Sequence, residues 1–285
     1  MDPLRDHLIR MPILPIATPT CIIRGTGRQR GRTLALAPGK AAVKHLRYGR
    51  IALHADDEAL TIDSGGLETG VIALAGEARV RLDGVEYQMR PYDSLYVPRD
   101  STFTVTASAS GCDLAEIAAP VEHHYPIQFV SFDDVQQDPG LHFEAGQNGS
   151  RRTLNILLGK NVIAGRLMAG VTFSKPGNWT SWPPHEHAVL AEEAYLFIDM
   201  PHPAFGVQLV YVDDVNPELA TIVREGDVVL MPQGYHPNVA APGHPINFLW
   251  MMAAERERED RLFGVVNVHP DFASGGSGIE RGRAR

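Results

Sequence analysis

The chain has 285 residues, 44% of them apolar, with 27 glycines, 21 prolines and two cysteines. That length makes two domains the expectation, the glycine and proline content favours an all-β class over long helices, and the isolated Cys21 and Cys112 exclude a disulfide framework or a thiolate metal site. A net charge of −8, from 34 acidic and 26 basic residues, argues against nucleic acid or an anionic membrane as partner.

Met1 to Ala17 lacks a sustained apolar run, and no window of about 18 residues is apolar enough to span a bilayer, so a cytoplasmic location is expected. Residues 1–30 are Pro-rich and then basic, at Arg24, Arg28 and Arg30, and read as an arm over the first domain or in a subunit contact. Residues 31–120 carry short strand patterns, among them Ile51–Leu53, Val71–Leu74, Ala78–Leu82, Ser94–Val97 and Phe103–Thr106. Leu82-Asp83-Gly84-Val85 is a hairpin signal, because Asp-Gly suits the turn that joins twisted antiparallel strands.

Residues 121–150 are polar and irregular, and read as a connection. His123 and His124 would face opposite ways in an extended chain, which argues against a shared metal there. Strand rhythm resumes over residues 151–272, in Leu154–Leu158, Gly165–Phe173, Ala194–Ile198, Gln208–Val212, Asp227–Met231 and Ile246–Met252. The charged run Glu255–Arg261 reads as a solvated turn or short helix, and residues 273–285 as a flexible tail.

The two halves share a signature. Asp93-Ser-Leu-Tyr-Val-Pro98 and Asp227-Val-Val-Leu-Met-Pro232 place an acidic turn residue, four apolar residues and a proline at the same spacing. Four residues beyond each proline stand Thr102 and His236. The first half therefore reads as a copy that lacks the ligand.

The chemistry concentrates in Trp182-Pro183-Pro184-His185-Glu186-His187, followed by Glu192-Glu193-Ala194-Tyr195, and in Pro232-Gln233-Gly234-Tyr235-His236. Two histidines one residue apart project from one face of an extended strand. A glutamate on the neighbouring strand and a third histidine from afar would complete a pocket of three nitrogens and one carboxylate for a divalent cation. An H-x-H alone is a common accident, and solvent-facing residues of a Pro-rich loop are its bland reading. The prolines, the acidic pair and the tight turn into His236 raise the metal reading.

These motifs, with Asn178-Trp179-Thr-Ser-Trp182 before them, resemble the 5-deoxy-glucuronate isomerase family of inositol catabolism, related to the 5-keto-4-deoxyuronate isomerases of pectin breakdown. The resemblance covers about Gly31 to Asp271. It implies a bicupin, two tandem jelly-roll β-barrels, probing a sugar acid with one divalent ion per chain, zinc or manganese before iron or nickel, in a homo-oligomer. Carried over by position, the metal ligands fall on His185, His187, Glu193 and His236. Strand alternation alone does not separate Glu193 from Glu192; in the family the ligand stands two residues before an aromatic, here Tyr195.

The family reaction moves a proton between neighbouring carbons, so a proton shuttle is needed, with Glu192 and Tyr235 as the candidates. The substrate carboxylate needs a cation, for which Lys175 and Arg166 are candidates, and Trp179 and Trp182 could wall the pocket. The chain departs from the family at Gln233, where arginine is common, at Leu196, Ile198 and Asp199, and in a short segment between His187 and Glu193. These changes spare the metal site and bear on which sugar acid is taken. A non-catalytic sugar-binding bicupin and an iron dioxygenase or lyase on a small acid use the same donor set and are the competing readings.

Overall fold

The structure, a computed structural model, describes residues 15–213, 215, 217–275 and 278–282. Among these, helix is confined to Thr18–Cys21, Phe132–Gln137 and the 3-10 turns Pro270–Gly275 and Ile279–Gly282. Everything else that is regular is strand, as the turn-rich composition implies. No described helix is long and apolar enough to cross a membrane.

The first half is one antiparallel sheet in the order Gly31–Leu36, Arg47–Leu53, Thr102–Pro120, Leu67–Leu82, Ser94–Val97, Gln128–Val130. Leu60–Asp63 adds to Thr102–Pro120, and Val85–Met89 adds to Leu67–Leu82. The hairpin at Asp83-Gly84 forms as expected, with φ of 49° and 79°. Both central residues thus take the left-handed conformation that a two-residue hairpin turn requires.

The second half divides its strands among three ladders. The largest runs Ile22–Ile23, Val228–Met231, Ala191–Phe197, Phe248–Ala254, Leu167–Ser174, Arg152–Leu158, His142–Ala145. A second joins Trp179–Thr180, Asn238–Ala240, Gly206–Val210 and Leu219–Val223, and a third pairs His185–Glu186 with Asn267–Val268. The expected closed barrels are therefore not what the hydrogen bonds draw. Among the described residues no sheet closes on itself, and short strands such as His185–Glu186 make pairings of their own.

Two corrections concern the chain ends. Ile22 and Ile23 pair with Val229 and Val228, so the arm adds an edge strand to the second half instead of lying only over the first; its residues 1–14 lie outside the described residues. The stretch assigned to a flexible tail returns to the core at Ile279, which is buried, while residues 276, 277 and 283–285 lie outside the described residues.

The halves are held by a shared apolar core. Tyr48, Ile72, Tyr96 and Ile117 of the first half belong to one cluster with Leu157, Leu158, Phe197 and Trp250 of the second. A side chain at Gly70 would meet Leu158 Cδ1 at 2.7 Å, so glycine is what lets the sheets approach there. A smaller cluster around Ile51, Val71, Val80 and Phe103 lies within the first half alone.

The pairing register shows how far the internal repeat extends. Thr69 pairs with Val97, which precedes Pro98, and Glu193 pairs with Met231, which precedes Pro232. Thr69 is thus the counterpart of Glu193, and Glu68 of Glu192. The acidic residue of each motif closes the preceding turn in the same way, Asp93 accepting from the Arg90 amide at 2.9 Å and Asp227 from the Arg224 amide at 3.1 Å.

Glu68 and Glu192 cross between the halves. Glu68, at the first half's sheet, accepts from the amides of Gly165 at 2.7 Å, Arg166 at 2.5 Å and Leu167 at 2.8 Å, and from the Tyr96 hydroxyl at 2.6 Å. Glu192 reciprocates, accepting from the amides of Lys44 at 2.8 Å, His45 at 2.7 Å and Leu46. Each carboxylate replaces water for three backbone donors at the start of the other half's strand, which is how buried charge and buried amides are both satisfied.

Candidate metal centre

Side-chain alternation in Pro184–His187 sets the geometry. His185 and His187 turn inward and are buried, while Glu186 between them turns outward, where its carboxylate accepts from the Asn267 side chain at 2.5 Å and from the Ala188 amide at 3.1 Å. A turn closed by the Leu190 and Ala191 amides on the His187 carbonyl brings the chain back into Ala191–Phe197. Glu193 enters from that strand. His236 arrives from the turn after Met231, which depends on Gly234: its φ is +83°, and a side chain there would lie 2.5 Å from the Tyr211 carbonyl oxygen.

Each of the three histidines has its Nδ1 3.0 Å from a backbone carbonyl oxygen, those of Pro183, Ala191 and Gly234. A carbonyl can only accept, so each Nδ1 carries a proton, which leaves each Nε2 as the nitrogen that faces the interior and can bind an ion. Such a contact on the far nitrogen is what orients metal-binding imidazoles.

The Nε2 atoms converge. His187 Nε2 lies 3.0 Å and His236 Nε2 3.2 Å from the same oxygen, Glu193 Oε2, and His236 Nε2 is otherwise without a hydrogen-bond partner in good geometry. Donor atoms of His187, Glu193 and His236 all lie within 4.8 Å of one another, and the His185 ring stands 4.9 Å from that of His236, centre to centre. Two lone pairs facing one carboxylate oxygen repel unless a positive charge sits among them. Donors about 2.1 Å from a common ion and roughly at right angles would be about 3 Å apart, as found. The donor set therefore fits a divalent metal ion.

Electrostatics agree. Burial, with the His236 and His187 rings beside it, pushes His185 down to about 3, so it stays neutral. Burial works to raise Glu193, but it is outweighed by hydrogen bonds and positive charge from the His187 and His236 side, which hold the carboxyl at about 2 and in turn raise His187; with no ion bound this needs a proton on that side, and a cation among the three groups would take the proton's place. Tyr195 is raised well above its ordinary value, first by burial and then by the Glu193 charge, so it remains a phenol; its hydroxyl lies 2.8 Å from Ser181 Oγ. A cavity of about 50 Å³, partly open to solvent, is lined by His185, His187, Glu193, Tyr195 and Ser181 and by apolar residues including Phe248 and Met252.

Several expected site residues stand elsewhere. Glu192 faces away from the cluster, since neighbours on a strand alternate, and is committed to the amides of residues 44–46. It is not placed to shuttle a proton. Arg166 donates to the carbonyls of Pro120 at 2.8 Å and Ala254 at 2.8 Å, and to that of Glu255, so its guanidinium is spent at the junction of the halves. Lys175 is exposed, 3.9 Å from Glu144. Trp179 and Trp182 pack on each other at 5.2 Å, and Trp182 on Phe272 at 5.0 Å, outside the cavity lining. Tyr235 packs against His269 at 4.8 Å and Tyr211 at 5.6 Å, also outside it.

The charged run Glu255–Arg261 is a turn with Arg256, Arg258 and Glu259 exposed, as expected, but Glu257 and Asp260 also tie it to the rest of the protein. Asp260 is buried and accepts from Arg256 at 2.7 Å, and Glu257 accepts from the Tyr125 hydroxyl and from the amides of Glu122 and His123. Tyr195, Ser181 and Asp260 are among the cavity groups that spacing did not point to; of these, only the position of Tyr195 two residues after Glu193 carried a signal.

Residues 22–269 match the model of the KduI/IolB family. The chain belongs to the KduI/IolB family. Among its curated relatives, the 5-deoxy-glucuronate isomerase of Geobacillus thermodenitrificans is 30% identical over 244 residues, covering 79% of this chain and 86% of that protein. The protein of the same name from Bacillus subtilis strain 168 is 31% identical over 176 residues, 59% of this chain and 62% of its own length. A solved IolB-like protein of Salmonella typhimurium LT2 superposes with a TM-score of 0.76 at 24% identity, covering 89% of this chain and 98% of that one. A cupin barrel protein from Leptotrichia buccalis, at 14% identity and a TM-score of 0.50, covers 81% of this chain and 92% of its own, so the fold of this KduI/IolB chain is cupin-like.

Proposed function

We propose that this KduI/IolB chain is a metal-dependent aldose–ketose isomerase of a deoxy sugar acid, converting 5-deoxy-glucuronate to 5-dehydro-2-deoxy-gluconate in inositol catabolism. The observation that carries the reading is the convergence of two Nε2 atoms on Glu193 Oε2, at 3.0 and 3.2 Å, in a buried cavity of a chain whose relatives bear that isomerase name. On this reading the halves are tandem cupins, residues 31–120 and 151–272, of which the second holds one divalent ion, zinc or manganese, in a cytoplasmic homo-oligomer.

His185, His187, Glu193 and His236 would hold the ion, which supplies Lewis-acid polarisation of the substrate carbonyl. The three backbone carbonyls keep the imidazoles in the required tautomer and orientation. Tyr195, kept protonated by burial and braced by Ser181, presents an O–H donor to the carbonyl oxygen as charge develops there. The apolar lining excludes water from the carbon that gains a proton.

The test is metal analysis of the purified protein together with NMR of 5-deoxy-glucuronate turnover in deuterated water. The expected result is about one ion per chain and deuterium at the new carbon–hydrogen bond of the ketose. Full metal occupancy with no turnover would reject isomerase chemistry and leave a metal-holding cupin.

A further inference from the structure

Ser181 is held in a backbone conformation that its side chain does not favour. Of the six non-glycine residues with positive φ among the described residues, Ser181, at +50°, is the one that lines the cavity. Serine is not among the residues that enter this left-handed region readily, whereas glycine takes it without steric cost. Such strain persists only where the surroundings impose it, and it collects where a side chain has a task. Ser181 is 7% exposed, and its Oγ lies 2.8 Å from the Tyr195 hydroxyl.

The surroundings that impose the conformation also hold His236. Thr180, the residue before, pairs with Asn238 on the neighbouring strand and donates to its side chain. Asn238 donates in turn to the Gln208 side chain at 3.0 Å, and Gln208 donates to the His236 carbonyl at 2.8 Å. One buried line of hydrogen bonds thus sets both the serine and the third histidine, so the Ser181 hydroxyl is fixed relative to the cluster.

Two paired hydroxyls leave open which one donates, and Glu193 decides it. Its negative charge acts on the Tyr195 hydroxyl from the cluster side, and a carboxylate only accepts. The tyrosine proton therefore turns toward the cluster, and the serine proton occupies a lone pair on the far side of the phenol oxygen. Without the serine, the phenol O–H is free to rotate away.

We propose that Ser181 is a positioning residue for Tyr195: by donating to the phenol oxygen it aims the tyrosine O–H at the cluster and at a substrate oxygen bound there, which is why a serine stands where glycine would be unstrained. This gives direction to a donor that the isomerase reading supplies, and rests on that reading for the substrate.

The experiment compares wild type with Ser181→Gly and Ser181→Ala, each alone and in a Tyr195→Phe background. Melting temperature and metal content establish that the variants are folded and loaded. Ser181→Gly removes the hydroxyl and the strain together, while Ser181→Ala removes the hydroxyl alone, so a merely structural role would impair the alanine variant and spare the glycine variant. Both should instead lose about 3- to 10-fold in kcat on 5-deoxy-glucuronate, the size of one hydrogen bond between neutral groups, with KM changed less than about twofold. Tyr195→Phe should lose at least about 100-fold by itself, and neither change at Ser181 should lower it further. A second readout needs no turnover. With tyrosine labelled by carbon-13 at Cζ, in equal parts light and heavy water, a hydroxyl whose proton exchanges slowly gives two resonances and a rapidly exchanging one gives a single resonance. Tyr195, assigned by its loss in Tyr195→Phe, should give two in wild type and one in both Ser181 variants. Full activity in Ser181→Gly, additive losses with Tyr195→Phe, or two resonances retained in both variants would each overturn the proposal. Paired resonances that depend on Ser181 in a wild type without turnover would uphold the positioning and reject the isomerase reading.

Discussion

The two halves of this chain keep the same carboxylate clasp but not the same centre. Glu68 and Glu192 stand at equivalent positions and each accepts from three amides of the opposite half. One residue further, the equivalence breaks: Glu193 faces the imidazoles, while its counterpart is Thr69. His236 likewise corresponds to Thr102, at the same distance past its proline. The comparison teaches that adjacent residues on one strand serve separate purposes. The outward carboxylate joins the halves and is present in both; the inward one faces the imidazoles and is present in one.

The sharpest way to break the comparison is at the diverged positions. His236→Ala should weaken metal retention by at least about 100-fold, measured by metal analysis after dialysis against a chelator, whereas Thr102→Ala should leave occupancy unchanged. Comparable loss from both would mean the first half contributes to the centre after all.

The conserved positions give the next largest effect. In Glu68→Gln and Glu192→Gln one acceptor becomes a donor facing backbone donors, so each should lose about 1.5–3 kcal/mol in urea unfolding while keeping its metal. If Glu192→Gln lost turnover at unchanged stability, Glu192 would return as a catalytic group.

The smallest effect concerns pH. Burial acts to raise Glu257, but the amides of Glu122 and His123 and the Tyr125 hydroxyl outweigh it and hold the carboxyl at about 2, below its ordinary 4.5. A depressed folded value contributes stability that is complete above the unfolded value and disappears as pH falls through the folded one. Wild type should therefore lose stability between about 4.5 and about 2, and Glu257→Gln should flatten that part of the curve in thermal melts. An unchanged acid limb would show that the Glu257 contacts do not join the halves in solution.

Much of the centre was legible from residue pattern. The H-x-H spacing and the turn into His236 follow from local rules of strand alternation and turn chemistry, the choice of Glu193 over Glu192 came from the family resemblance and not from alternation, and the repeat around Asp93 and Asp227 anticipated the shared register. What was not legible depends on contacts between residues far apart in the chain. Glu192 looked as free for chemistry as Glu193, because its commitment comes from amides almost 150 positions earlier. Arg166 looked like a pocket cation until its carbonyl partners at Pro120 and Ala254 were visible. In Glu255–Arg261 the exposed Arg256, Arg258 and Glu259 follow the usual rule for charge, whereas the burial of Asp260 rests on its pairing with Arg256. Tandem barrels were implied by the resemblance, whereas closure depends on which edges meet.

The reciprocal clasp also limits how this protein could be divided. A fragment ending in the connection near residue 130 would strand Glu68 without its amide donors, and the remaining fragment would strand Glu192 in the same way. Removing the half without the histidines should not liberate a smaller working catalyst, and cleavage between the halves should yield two insoluble pieces, not two modules.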